Sequence, residues 1–136
     1  MRVYAFVGEN GMLWFALSGV AAAADPVGRA TYLRAARVTL VALVANTCLK
    51  QLIRRPRPRL ADDLPPLAPT ISRMSYPSAH ATTSFAAARA LSRALPPAPL
   101  YCAAVAMALS RSYLGVHYPS DVVAGALLGD AVERLA

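Results

Sequence analysis

Apolar residues in this chain form blocks that end at proline or glycine, a pattern typical of packed helices. The blocks predict five helices: Gly11 to Ala24, Arg29 to Arg54, Ser78 or Ala79 to Leu95, Ala98 to Tyr113, and Pro119 to Arg134. A short interfacial segment from Arg2 to Val7 is expected before them. Prolines crowd positions 56–77, and proline removes a backbone donor, so this connection is predicted to be a loop. The expected fold class is all-α.

Composition favours a bundle inside a membrane. Apolar residues fill 57% of the 136 positions, and only seven residues are acidic, too few to give five helices a mixed-charge soluble surface. No uncharged run reaches the roughly 18 to 20 residues of an isolated span, so polar helix ends must pack inside the bundle. A soluble bundle with an alanine-rich core is the alternative. Residues 1–136 are predicted to form one integral-membrane domain, with the loop 56–77 over its site face.

The net charge of +7 comes largely from cations near predicted helix ends. In a membrane protein this arrangement indicates anionic lipid head groups and a phosphorylated substrate as partners, and not nucleic acid. Cys48 and Cys102 lie in apolar helical runs without the spacing of a metal site. Both are predicted to be small core residues.

Polar residues recur where helix ends should meet. If the chain alternates direction, the end of the second helix, the start of the third, the end of the fourth and the start of the fifth share one face. The residues with phosphate chemistry on that face are Lys50, Arg57, Ser78, Ala79, His80, Arg111, His117 and Asp121. Their convergence predicts one site for phosphoryl transfer.

His117 and Asp121 are four residues apart at a helix start. A carboxylate against one imidazole nitrogen fixes the tautomer and makes the other nitrogen a better nucleophile or base. The alternative is that Asp121 is only a first-turn acid that favours the helix dipole.

His80 follows Ser78 at the start of the third helix. N–H groups at a helix N-terminus bind phosphate, and a histidine there can protonate a leaving oxygen. The simpler interpretation makes Ser78 an ordinary N-cap.

Lys50, Arg57 and Arg111 could neutralise phosphoryl oxygens. The neighbouring cations have a different interpretation, a juxtamembrane basic cluster made of Arg54, Arg55 and Arg59.

Three motifs in order resemble the signature of the type 2 phosphatidic acid phosphatase superfamily. They are Lys50 six residues before Arg57-Pro58, then Pro77-Ser78-Ala79-His80, then Ser110-Arg111 with His117 and Asp121. Ala79 stands where the family usually has glycine. The resemblance implies a phosphatase without metal or cofactor, in which His117 forms a phosphohistidine, Asp121 orients it and His80 protonates the leaving group. Lys50, Arg57, Ser78, Ala79 and Arg111 would then hold the phosphate.

The resemblance also implies a helical core shared with vanadium haloperoxidases and a site at the boundary of a bacterial plasma membrane. An N-terminal span would be missing or reduced to the piece before Gly11. Counting Lys and Arg on the two faces does not decide orientation, and the resemblance favours a cytoplasmic site.

The residues in and around the three motifs are similar to those of actinobacterial phosphatases that act on decaprenylphosphoryl-5-phosphoribose for cell-wall arabinan synthesis. Polyprenyl pyrophosphates, phosphatidylglycerophosphate and phosphatidic acid stay open as substrates. The long loop offers groups suited to a sugar at Asp62, Asp63, Thr70 and Ser72. The alternative is that this loop is only an exposed connector. The competing functions are a haloperoxidase, for which the chain is short, and a non-catalytic scaffold for a prenyltransferase. A second copy of the chain or a prenyltransferase stays open as a protein partner.

Overall fold

A computed structural model describes residues 11–58 and 72–136. These residues contain five helices: α1 (Met12–Ala24), α2 (Arg29–Ile53), α3 (Ala79–Leu91), α4 (Pro97–Tyr113) and α5 (Pro119–Leu135). No strand is present in the described ranges, although Pro56 and Met74 form an isolated antiparallel bridge. The all-α prediction is therefore confirmed. The predicted segment from Arg2 to Val7 and the loop residues Asp62, Asp63 and Thr70 lie outside the described residues.

Proline sets most helix ends where the sequence predicts them. α2 stops at Ile53, three residues before Pro56, and α5 begins at Pro119, where a missing N–H costs nothing. The predicted end of the third helix at Leu95 is wrong, because α3 ends at Leu91. There the Ser92 hydroxyl donates to the carbonyl of Arg89 and the chain turns before the two prolines.

α3 lies at the centre and packs against all four other helices. Its buried surface is made of small residues, chiefly alanine, threonine and serine. The hydroxyls are satisfied inside the bundle: Thr82 donates to the Ser78 carbonyl at 2.9 Å, and Ser84 accepts from the Trp14 indole at 2.8 Å. Small side chains let several helices approach α3 closely, which suits a protein in lipid.

The closest helix pair is α3 and α5, and glycine makes it close. A Cβ atom added at Gly125 would lie 2.5 Å from the Ser78 carbonyl oxygen, and one at Gly129 would overlap the Thr82 carbonyl. The two glycines are four residues apart on one face of α5, the spacing that lets helix backbones touch in membranes. This contact brings the start of α5 beside the start of α3.

The outer surface of the bundle is apolar. α2 is long and apolar enough to cross a membrane, by length and composition, and α1 is a shorter apolar helix. The prediction that Cys48 and Cys102 are core residues is wrong, since both are exposed. Cys48 lies on the same exposed side of its helix as Val44, and Cys102 lies on the same exposed side as Val105. Both cysteines therefore belong to the apolar exterior.

An ionic network closes the end of the bundle opposite the predicted site. Glu133 is only 1% exposed, and its carboxylate accepts from three guanidinium groups at 2.7 to 2.9 Å. The three donors are Arg34, Arg89 and Arg93. A buried carboxylate requires such pairing. The three pairs join the start of α2 and the end of α3 to the end of α5.

Candidate active site

The eight predicted site residues come together at one end of the bundle. The end of α2, the start of α3, the end of α4 and the start of α5 meet there. Arg57 and Ala79 are partly buried, and the other six side chains are buried. Lys50, Arg57, Arg111 and His80 all lie close enough to His117 to act on its charge. The three motifs thus form one constellation, with His117 at its centre.

His117 lies in the connection between α4 and α5. The chain turns in this connection at Gly115, which has a φ of +69°. Val116 donates its N–H to the Arg111 carbonyl at 3.2 Å. The two imidazole nitrogens of His117 have different surroundings. Nδ1 is 3.6 Å from Asp121 Oδ2, longer than a hydrogen bond, and Nε2 is 3.3 Å from Arg57 Nη1. One nitrogen therefore faces the acid and the other faces the cations.

Burial and the surrounding positive charges keep the imidazole of His117 neutral. Burial contributes most, followed by Arg57, Lys50 and Arg111, and together they lower the pKa of His117 to about 2. A neutral imidazole retains the lone pair that a nucleophile needs. Burial also lowers the pKa of Arg57, and Asp121 opposes that shift.

Asp121 is completely buried and bridges three parts of the site. Its Oδ2 accepts the backbone N–H of Tyr118 at 2.9 Å, which caps α5, and its Oδ1 accepts from Arg55 Nη1 at 2.9 Å. Its carbonyl accepts the Ser78 N–H at 2.9 Å, which ties α5 to the start of α3. Both interpretations of the residue describe its geometry, since Asp121 is a first-turn acid and also faces His117.

Arg55 is the residue that sequence reasoning placed wrongly. The interpretation of Arg55 as part of a basic cluster is wrong, because its guanidinium binds Asp121 and lies 4.1 Å from the centre of the Tyr118 ring. Arg54 does fit that interpretation: it is exposed and donates to the Gln51 carbonyl of its own helix. No local signal distinguished the two arginines, since they are adjacent and the contact of Arg55 with Asp121 spans 66 residues of sequence.

The start of α3 presents helix N–H groups to the site. Ser78 is the N-cap, accepting from Ala81 N at 3.5 Å, so the simpler interpretation of this serine describes its contacts. Ala79 is the first helical residue, and among the described non-glycine residues only Arg54 has a positive φ. Alanine in place of the usual glycine therefore causes no backbone strain here. The helix dipole still directs positive potential at the site.

Asn46 positions the turn before α3 and was not predicted. It is fully buried in α2, one helical turn before Lys50, and its Nδ2 donates to the Pro77 carbonyl at 3.1 Å and to Thr82 Oγ1 at 3.0 Å. An amide in an apolar helix must find partners when buried. That rule was the signal that could have identified Asn46.

The two described ends of the long loop are attached to the site. Arg57 donates from Nε to the Ser72 carbonyl and from Nη1 to the Val116 carbonyl, both at 2.7 Å. Lys50 Nζ lies 3.4 Å from the Met74 carbonyl oxygen and 3.5 Å from that of Ser75. Backbone carbonyls thus hold these cations in place.

The charges of the site suit a phosphate dianion. Lys50, Arg55, Arg57 and Arg111 supply positive charge around His117 and Asp121. Within residues 11–58 and 72–136, no three or more His, Cys, Asp or Glu side chains are grouped as metal ligands. Chemically, this arrangement can supply an imidazole nucleophile, a carboxylate beside it and cations that bind an anion.

Comparisons with known proteins relate the chain to phosphatases. The model of the PAP2 superfamily matches residues 31–136. The decaprenylphosphoryl-5-phosphoribose phosphatase of Mycolicibacterium smegmatis is 41% identical over 125 residues, covering 91% of this chain and 68% of that protein. Its namesake from Mycobacterium tuberculosis is 42% identical over 132 residues, with coverage of 94% and 72%. The crystal structure of a transmembrane PAP2 type phosphatidylglycerolphosphate phosphatase from Bacillus subtilis superposes with a TM-score of 0.74 at 29% identity, covering 97% of this chain and 70% of that one.

Proposed function

We propose that hydrolysis by this chain proceeds through a phosphohistidine at His117 without a metal ion. The chain belongs to the PAP2 superfamily and is a membrane-associated lipid phosphate phosphatase. The observation that carries the proposal is the placement of His117, with Nδ1 toward Asp121 and Nε2 toward the cations. The lone pair of Nε2 thus points to where phosphoryl oxygens would bind.

In the first step, His117 Nε2 forms a bond to phosphorus while the bond from phosphorus to the lipid or sugar oxygen breaks. His80 donates a proton to that leaving oxygen. The phosphohistidine carries positive charge on its ring, which the Asp121 carboxylate stabilises from the Nδ1 side. Water then attacks phosphorus, His80 takes its proton, and inorganic phosphate leaves with His117 restored.

The remaining predicted residues stabilise charge on the phosphoryl oxygens. We assign this role to Lys50, Arg57 and Arg111, together with Ser78 and the N-terminal turn of α3 that begins at Ala79. Their positive charge is fixed in a site with little water, where preorganised donors stabilise a transition state most. The reaction would therefore need no added cation to neutralise the phosphate.

For the substrate, we propose a polyprenyl phosphosugar of the decaprenylphosphoryl-5-phosphoribose type. The support is the 41% and 42% identity to mycobacterial phosphatases of that name. Phosphatidylglycerophosphate is the second candidate, because the Bacillus subtilis neighbour is a phosphatidylglycerolphosphate phosphatase. The site lies at helix ends, so a phosphate can bind there while the isoprenoid tail stays along the apolar exterior.

We further propose that the loop 56–77 binds the head group of the substrate. Both of its described ends contact the site, through Arg57 and Ser75. We propose a bacterial plasma-membrane location, supported by the transmembrane Bacillus subtilis neighbour, and we assign the site to the cytoplasmic face. Labelling of Arg54→Cys by an impermeant maleimide, in intact cells and in inverted vesicles and with the exposed Cys48 and Cys102 replaced by serine, tests the face. Preferential labelling in intact cells would place the site outside.

Purified protein in detergent tests the mechanism. His117→Ala should lose all turnover and form no acid-labile phosphoenzyme. His80→Ala should retain more activity on p-nitrophenyl phosphate than on an alkyl phosphate, because a good leaving group needs less protonation. Equal losses on the two substrates would contradict the role of His80, and a phosphoenzyme in His117→Ala would contradict that of His117.

A panel of lipid phosphates at matched concentration tests the substrate. Decaprenylphosphoryl-5-phosphoribose should be hydrolysed faster than phosphatidylglycerophosphate, phosphatidic acid and a polyprenyl pyrophosphate. A faster reaction with any of the other three would reject the phosphosugar assignment and leave the phosphatase mechanism intact.

A further inference from the structure

The Arg55 side chain makes three contacts at the edge of the site, all to the N-cap and first turn of α5. Its Nη1 donates to Asp121 Oδ1 and to Ser120 Oγ, each at 2.9 Å. Its guanidinium carbon lies 4.1 Å from the centre of the Tyr118 ring. The Arg55 side chain is 37% exposed, whereas the Asp121 side chain is fully buried. The exposed residue thus reaches inward to a buried acid.

The contacts of the Asp121 carboxylate are divided between its two oxygens. Oδ1 accepts from Arg55, while Oδ2 accepts from Tyr118 N and faces His117 Nδ1 at 3.6 Å. A buried carboxylate without a charged partner would tend to take up a proton or rotate toward other donors. Stacking on Tyr118 fixes the plane of the guanidinium, which in turn fixes the rotation of the carboxylate.

We propose that Arg55 is a positioning residue for the reaction, holding the Asp121 carboxylate in the orientation that faces His117. The inference rests on the proposed phosphohistidine mechanism, and it adds a fourth cation with a role different from those of the phosphate ligands. Arg55 acts through Asp121, so its removal should slow turnover and leave substrate binding nearly unchanged.

Other charged groups surround the pair and stay in place when Arg55 is replaced. Lys50 from α2 and Arg57 from the following segment also act on Asp121. His80 from α3 and Arg111 from α4 act on His117. These four groups are unchanged in an Arg55 variant, so a fall in kcat can be assigned to the lost guanidinium.

The test compares Arg55→Gln and Arg55→Lys with Arg54→Gln, a matched control that removes an exposed neighbouring charge. Arg55→Gln should lower kcat about 10- to 100-fold, the usual cost of losing a residue that supports a reacting group, with KM changed less than about threefold. Arg55→Lys should recover part of kcat, since it keeps the charge without the stacked plane. Arg54→Gln should match the unaltered protein.

Two results would overturn the inference. One is Arg55→Gln behaving like Arg54→Gln in kcat. The other is an equal loss of kcat for both Arg55 variants with a matching fall in the folded fraction, which would make Arg55 merely structural. His117→Ala serves as the reference. If it retains turnover and phosphoenzyme, the proposed mechanism fails. If it is inactive while Arg55→Gln is normal, only the role of Arg55 fails.

Discussion

Replacing Gly125 by alanine should impair catalysis more than stability. Gly125 lies on α5 against the turn that starts α3, and an added Cβ would be 2.5 Å from the Ser78 carbonyl oxygen and 3.0 Å from the Ala81 side chain. The first of these neighbours is backbone, which cannot rotate away. The start of α3 must therefore move relative to α5, and with it Ser78 and His80.

The size of the movement follows from the contact. An ordinary van der Waals separation begins at 3.4 Å, so the Ser78 carbonyl must recede by about 0.9 Å. Overpacking of this kind costs about 1 to 3 kcal/mol. Alanine favours a helix by about 1 kcal/mol relative to glycine. This gain offsets part of the cost and leaves a net destabilisation of about 0 to 2 kcal/mol. Misplacement of a reacting group by about 1 Å costs on the order of 100-fold in rate.

The assay is kcat/KM per folded molecule, measured together with the thermal midpoint in the same detergent. Gly125→Ala should lose about 10- to 100-fold in kcat/KM while the midpoint falls by only a few degrees. Gly19→Ala is the matched control, because an added Cβ there meets nothing within 4 Å. It should keep full activity. Normal kcat/KM in folded Gly125→Ala would refute the argument that the close approach of α3 and α5 sets the site geometry.

Three further predictions concern the metal, the histidines and the ionic network. Turnover should survive excess EDTA, and vanadate should inhibit by mimicking five-coordinate phosphorus; loss on chelation with recovery on magnesium would contradict this. The chain has two histidines, so ¹³C-histidine labelling of His80→Gln leaves the signal of His117 alone. Because the pKa of His117 is lowered to about 2 by burial and cations, its imidazole takes up a proton only in strong acid, and this signal should not titrate between pH 8 and 5. A midpoint near 6.5 would show that burial is weaker than described. Glu133→Gln should lower the thermal midpoint more than Asp130→Asn, since Glu133 is 1% exposed and Asp130 is 32% exposed. Equal shifts for the two variants, or lost activity without lost stability, would contradict a structural role for the network.

The helices were predictable because proline and glycine act locally. Pro56 and Pro119 fix helix ends through a missing donor and a fixed φ, whatever the rest of the chain does. The end of α3 was less predictable, since Leu91 to Leu95 has no proline of its own, and the turn depends on the side chain of Ser92 bonding back to Arg89. The exposure of Cys48 and Cys102 was missed for a different reason. Apolar composition does not distinguish the core of a bundle from a surface that faces lipid.

Which residues form the site was predictable, but the contacts between their side chains were not. Alternating helix direction was enough to place His80 and His117 at one end. It could not show that Arg55 pairs with Asp121 and Arg54 does not, because the two arginines are adjacent in sequence and differ only in the direction of their side chains. That direction is set by the extended segment between Arg54 and Pro58, and by the bridge from Pro56 to Met74. The bridge is a long-range contact that no local pattern predicts.

The contact between α3 and α5 explains why the sequence motifs can lie so far apart and still form one site. Ser78 and Asp121 are joined by a backbone hydrogen bond of 2.9 Å, which requires the two helix starts to touch. They can touch only because Gly125, one turn further along α5, presents no side chain to the Ser78 carbonyl. Gly129 extends the same contact by another turn against Thr82, whose hydroxyl also accepts from Asn46. Packing of α2, α3 and α5 and positioning of the reacting groups thus depend on the same few atoms. Residues outside the proposed phosphate-binding set, such as Gly125 and Asn46, should therefore also limit the rate, through the position of the reacting groups.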